Sequence, residues 1–157
     1  MNLYVFDDHT ADGWTPFSLT RPCGELRYGD RLLRQRLERF AGQPATATLS
    51  RSWLSLFTEP GTPPILNRNA APSEGDRLCL CSRFVPSEDA AWESPAGNGP
   101  ALLLVGAQVA GAWLPAGTDA PDESWFSGPA DLSGFGELQL DGSMLENVWD
   151  LVGGNPE

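Results

Sequence analysis

The chain has 157 residues, of which 41% are apolar and 10% aromatic, enough for one domain with a core and short for two. No apolar run approaches the roughly 18–20 residues of a membrane span, and the acids Asp7 and Asp8 interrupt the N-terminus where a secretory signal would need an apolar stretch; a cytoplasmic protein with no membrane partner is expected. Net charge is −11, yet all ten basic residues are arginines between Arg21 and Arg83, and twelve acids with no base follow, so there is no broad basic face for nucleic acid, only room for a local anion site in the first half.

Asn2–Phe6 reads as a strand buried on both faces, ending at Asp7-Asp8. A loop from His9 to about Pro16 leads to an arginine-bearing segment, and a helix is predicted over about Asp30–Ala41 with Asp30 as N-cap. Its apolar stripe is Leu32, Leu33, Leu37 and Phe40, with Arg31, Arg34, Gln35 and Glu38 largely opposite, and Gly42 ends it. Ala45–Leu49 is strand-like, Ser52–Phe57 fits one or two helical turns, Pro64–Asn67 reads as a short buried strand, and Asp76–Phe84 alternates like another. Pro86–Pro100 is turn-rich and expected to be exposed. Ala101–Val105 and Gln108–Leu114 form a hairpin through Gly106. A loop over Pro115–Gly128 precedes an alternating stretch, Phe135–Leu140, and a closing helix over Met144–Val152 carries Trp149 as a hydrophobic lid and Asp150 as a cap.

Cys79 and Cys81 alternate along one strand and so point the same way; with no nearby histidine they make a poor zinc half-site, and with Cys23 they read as small buried hydrophobes.

The densest signal is the run from Phe17 to Asp30, which sets Arg21, Arg27, Glu25, Gly24 and Gly29 between a strand and a helix. In α/β proteins ligands bind at that junction, outside the carboxyl ends of the strands. An apolar strand ending Phe-Asp-Asp, then Pro-Phe-Ser-Leu-Thr-Arg-Pro, Glu-Leu-Arg-Tyr-Gly and an arginine-rich helix, resembles the start of a bacterial sugar nucleotidyltransferase-like family. Its members are related to the bifunctional UDP-N-acetylglucosamine diphosphorylase/glucosamine-1-phosphate N-acetyltransferase. Pro64–Asn67, the Ala101–Leu114 hairpin and the segment Trp149–Val152 with Asn155 agree with it more loosely. The resemblance implies a three-layer, Rossmann-like α/β domain of the nucleotide-diphospho-sugar transferase type, complete or reduced, spanning 1–157, without the left-handed β-helix that the family joins to it.

The same resemblance implies transfer between a nucleoside triphosphate or nucleotide sugar and a hexose or hexosamine 1-phosphate. Arg21 and Arg27 would neutralise phosphate charge bidentately as the catalytic pair. Asp8, Thr20, Gly24, Glu25, Gly29 and Asn67 would contact the substrate, and Asp7 and Asp8 would hold Mg²⁺. Each has a plainer alternative. Arg21 and Arg27 could pair with Glu25, Asp7 or Asp8; the two aspartates could cap the loop; His9 could be a loop residue; Asn67, Arg68 and Asn69 could form a turn. The sequence departs from the well-characterised enzymes in having no glycine-rich loop after the first strand and no lysine. A non-catalytic ligand-binding or assembly domain of a longer sugar-phosphate acyltransferase, able to form homo-oligomers, is therefore the competing expectation, and a purely structural α/β domain is a third.

Overall fold

The computed structural model describes residues 1–68, 74–95, 99–119 and 134–153. Its centre is β1 (Asn2–Phe6), whose apolar run admits burial on both faces. The parallel strands β4 (Ala47–Ser50) and β6 (Arg77–Cys81) pair with its two edges, Val5 lying opposite both Thr48 and Leu80. β5 (Ile65–Asn67) extends the sheet parallel to β4. On the other side lie β9 (Gln108–Leu114), β8 (Ala101–Val105) and β10 (Gly136–Gln139), giving the order β10-β8-β9-β6-β1-β4-β5. Only β9 runs against the other strands. This is a mixed-sheet α/β domain of the Rossmann-like kind, and chain order reverses beside β1, where β4 and β6 diverge to opposite sides.

One face of the sheet packs Leu3, Val5, Leu78, Leu80 and Leu103 against Leu37 and Phe40 of α2 (Leu33–Ala41). The other face carries Tyr4, Phe6, Leu49, Cys79 and Cys81 in a second apolar cluster. All three cysteines are free and buried, and burial pushes the Cys79 thiol up to about 12, so they serve as packing groups. Gly42 closes α2 with a left-handed φ of 69°, donating to Arg39 and Glu38 carbonyls. Two small ribbons complete the described strands: β2 (Arg27–Tyr28) with β3 (Arg31–Leu32), and β7 (Phe84–Pro86) with β11 (Gly142–Met144). Among the described residues no helix is long and apolar enough to cross a membrane.

Several elements differ from the sequence expectation. The segment after Asp8 is not all loop: His9–Asp12 makes a single helical turn, α1, because Asp8 caps it by accepting from the Ala11 amide at 2.9 Å. Asp30 does not cap α2. It lies in the tight turn between β2 and β3 beside Gly29, whose φ is 64°, and α2 begins three residues later with Gln35 Oε1 accepting from the Leu32 amide. The Asp76–Phe84 run breaks at Ser82 into two strands, and Ser52–Leu54 forms one 3-10 turn. Trp92 packs on Phe40 and Trp113, so the turn-rich segment that holds it is partly anchored to the core. The closing helix shrinks to α3 (Asp150–Gly153); Trp149 is 67% exposed rather than packed down as a lid, while Asp150 accepts from the Glu146 and Asn147 amides. Asn69, most of the Pro115–Gly128 loop and Asn155 lie outside the described residues.

Candidate functional site

The carboxyl ends of the parallel strands place a polar residue, followed in three cases by arginine, along one edge of the sheet: Asp7 after β1, Ser50-Arg51 at β4, Asn67-Arg68 at β5 and Ser82-Arg83 after β6. At the point where chain order reverses, Asp7 ties three strands together. Its carboxylate accepts from Ser50 Oγ at 2.6 Å, Ser82 Oγ at 2.7 Å and the Cys23 amide at 3.1 and 3.3 Å. Burial raises its pKa above the ordinary carboxylate range, and the hydrogen bonds from Ser50, Ser82 and the Cys23 amide work against that shift.

Beside it, Arg83 forks onto Asp8, with Nε 2.9 Å from Oδ1 and Nη2 2.6 Å from Oδ2, and its Nη1 donates to the Leu145 carbonyl. The two acids at the reversal point are therefore engaged by the chain's own groups. Asp7 has no unengaged carboxylate oxygen, and Asp8 is shared between the α1 cap and Arg83. These two residues do not fit the magnesium role that the resemblance implied for them. Among the described residues no cluster of three or more His, Cys, Asp or Glu is placed to hold a metal ion.

The loop beyond is held by a second arginine set. Asp12 is 3.3 Å from Arg51 Nε and 2.9 Å from Arg68 Nη1, while Arg51 also donates to the Ser18 carbonyl. The Arg51 guanidinium lies 4.8 Å from the centre of the exposed Trp53 ring. Arg21 stands further out, pairing with Glu59 at 3.1 Å and lying 5.6 Å from the Phe57 ring centre.

The structure separates the residues singled out from sequence. Glu25 and Gly24 are buried under α2; Glu25 is paired with Arg34, and a side chain at Gly24 would meet Val5 and Arg34. Arg34, expected on the solvent side of the helix, is thus an interior residue. Arg27 is exposed on the β2–β3 hairpin and donates to the Asp30 carbonyl at 2.8 Å, and Gly29 serves the hairpin turn. Neither Arg21 nor Arg27 pairs with Glu25, Asp7 or Asp8, because other donors occupy those acids. Asn67 is exposed at the end of β5, Thr20 is exposed in the loop before Arg21 with its Oγ1 donating to the Phe17 carbonyl, and His9 is an exposed residue of α1. Asp12, Arg51, Arg68 and Arg83 were not singled out as an edge set. For the three arginines the signal was the recurrence of one polar residue and an arginine at three successive strand ends, and Asp12 carried no such signal.

The sheet order and the reversal beside β1 define a Rossmann-like α/β architecture with arginines along the carboxyl edge of its sheet. A sugar nucleotidyl transferase family model matches residues 3–157, and the chain belongs to that family. Its domain is correspondingly of the nucleotide-diphospho-sugar transferase kind. A search of curated proteins returned no match.

Proposed function

We propose that this domain binds a nucleoside triphosphate or nucleotide sugar, together with a hexose or hexosamine 1-phosphate, at the carboxyl edge of the sheet and transfers a nucleotidyl group between them. The observation that carries the reading is the family match over residues 3–157. In the transfer from a nucleoside triphosphate, an oxygen of the sugar phosphate attacks the α-phosphorus, the bond to the bridging β-phosphate oxygen breaks, diphosphate leaves, and the nucleotide sugar is the other product. The attacking oxygen is already anionic, so no general base is needed. What the site must supply is alignment and positive charge on the non-bridging oxygens.

Arg21 is suited to that task. It is about one-third exposed and its partner Glu59 more so, and a surface pair of this kind contributes little and gives way to a phosphate. Asn67 is exposed at the end of β5 and Thr20 is exposed next to Arg21 in the chain, while Arg27 is a further exposed guanidinium on the hairpin. Asp12 holds Arg51 and Arg68 in place, so their role is to position the loop from α1 to Arg21.

One observation favours a second reading, ligand binding without turnover. Asp7 and Asp8 are committed to internal partners, and no lysine stands beside the arginines. Thermal-shift titration with a panel of nucleoside triphosphates, nucleotide sugars and sugar 1-phosphates, run beside a diphosphate-release assay with and without Mg²⁺, separates the two. Stabilisation with release supports transfer, and stabilisation alone supports binding. No stabilisation by any of the panel overturns both. Arg21→Ala is expected to weaken the response at least about tenfold while leaving the melting temperature of the free protein unchanged.

A further inference from the structure

Away from the carboxyl edge, a groove of about 970 Å³ runs between the β2–β3 hairpin, the outer face of α2 and the β7–β11 ribbon. That volume is in the range of small-molecule sites, roughly 300–1,000 Å³. Arg21, Arg51 and Arg68 take no part in its walls. Its walls carry three guanidinium groups, Arg31, Arg36 and Arg39, against two carboxylates, Asp30 and Glu88. In a chain of net charge −11 this local excess of positive charge stands out.

The three arginines are not equally engaged. Arg31 and Arg36 share the single carboxylate of Asp30, at 3.4 and 3.1 Å. Arg36 is also held in place: Nε and Nη2 donate to the Tyr28 carbonyl at 3.2 and 2.8 Å, and its guanidinium lies 5.2 Å from the Tyr28 ring centre. The side chain of Arg39, exposed and three residues further along the helix, has no hydrogen bond or ion pair among the described residues. Residues at that spacing lie on the same helix face, about 5–6 Å apart at Cβ, a separation that two linked phosphates can bridge. The opposite rim is low. Gly142 has a φ of 152°, and a side chain there would strike the Val85 carbonyl at 2.4 Å, so bare backbone with Ser143 and Ser87 forms that wall.

We infer that this groove is a second anion site, taking the phosphate groups of a small diphosphate-bearing molecule, with Arg36 and Arg39 as its principal ligands and Arg31 beside Arg36 on the hairpin. The acid-rich remainder of the chain disfavours an extended polyanion lying across it. The site is independent of the edge proposed for nucleotidyl transfer.

The test is an NMR titration of the ¹⁵N-labelled chain with inorganic pyrophosphate, following backbone amides. Saturable shifts are expected at Gly29, Arg39, Ser87 and Ser143, in the wild type and equally in Arg21→Ala. Arg39→Ala is expected to weaken the apparent affinity at these amides at least about tenfold with the remaining spectrum unchanged. Arg31→Ala, on a different element, provides a second variant with the same expected direction. Shifts confined to the loop around Arg21, no shifts at millimolar pyrophosphate, or unchanged affinity in both Arg39→Ala and Arg31→Ala would overturn the inference. Loss of the edge response in Arg21→Ala with the groove response intact bears on the transfer reading alone.

Discussion

Arg34 closes on Glu25 inside the molecule, with Nε 2.5 Å from Oε1 and Nη2 3.3 Å from Oε2, and both side chains are almost wholly buried. The same guanidinium reaches Glu38 one turn along α2 at 2.8 Å, and Glu38 in turn accepts from the Ala45 amide. The pair therefore joins the segment after Pro22 to the helix and, through Glu38, to the chain entering β4. A glutamate that the sequence offers as a substrate contact is instead a fixed interior group.

Removing one partner takes a counter-charge from a group that is almost wholly buried. Arg34→Ala, which leaves the buried Glu25 carboxylate without its partner, is expected to lower stability by about 3–5 kcal/mol, and Glu25→Ala, which leaves Arg34 its second partner Glu38, by less. The double replacement Glu25→Leu/Arg34→Met should recover most of that loss, since an apolar pair of similar volume avoids the desolvation cost. Urea unfolding of the three variants checks this. A double variant as unstable as the singles would show that the ion pair itself holds the segment.

The difference between what the sequence revealed here and what it hid is physical. β1, β6 and the β8–β9 hairpin were legible because burial on one or both faces writes apolar runs or alternation directly into the chain. The stop at Gly42 was legible because a left-handed residue favours glycine. The start of α2 was not: Asp30 has the chemistry of a cap, but Gly29 beside it has the chemistry of a hairpin turn, and the turn prevails. Arginine partners were illegible for a different reason. Arg83 meets Asp8 and Arg68 meets Asp12 across separations of 75 and 56 residues, which only the sheet order brings together. An arginine in a sequence declares a charge and not its counter-charge.

Asp8 shows how one carboxylate can carry two duties, capping α1 and receiving the fork of Arg83. Asp8→Asn keeps an oxygen for the cap but loses the ion pair, whereas Asp8→Ala loses both. The alanine variant is expected to be less stable than the asparagine variant by about 1 kcal/mol, the usual cost of losing a cap. Arg83 also donates to the Leu145 carbonyl and its own carbonyl accepts from the Leu145 amide, so Arg83→Met should speed amide exchange around Leu145. Exchange rates there equal to wild type would show that the ribbon is held by its β7 pairing alone.

Asp7 gives a pH dependence with a definite sign. Its pKa is raised in the folded state, so the native chain keeps this proton to higher pH than the unfolded chain does. Between the ordinary carboxylate value and the raised one the native state binds more protons, and stability falls as pH rises through that window. The contribution of Asp7 is thus fully present at low pH and lost above the raised value. Asp7→Asn removes the titration while leaving groups for Ser50 and Ser82 to bond. The stability of Asp7→Asn relative to wild type is expected to improve as pH rises from about 4 to about 8. Paired melting curves across that range test it, and a difference independent of pH would contradict it.

Gly111 sets how closely β9 can lie on β6. It sits opposite Leu80 at the irregularity where the β8–β9 register shifts, and a Cβ there would come within 2.2 Å of the Cys79 carbonyl oxygen. That neighbour is backbone in the central sheet and cannot turn aside as a side chain would. Gly111→Ala must therefore push the only antiparallel strand of the large sheet away from its neighbour, at an expected cost of about 1–3 kcal/mol. Gly99 has open space around its Cβ direction, so Gly99→Ala is the control and should change stability by less than about 0.5 kcal/mol. Urea midpoints for the two variants decide the matter: if Gly111→Ala unfolds where Gly99→Ala does, the close approach of β9 to Cys79 is not a constraint on the sheet.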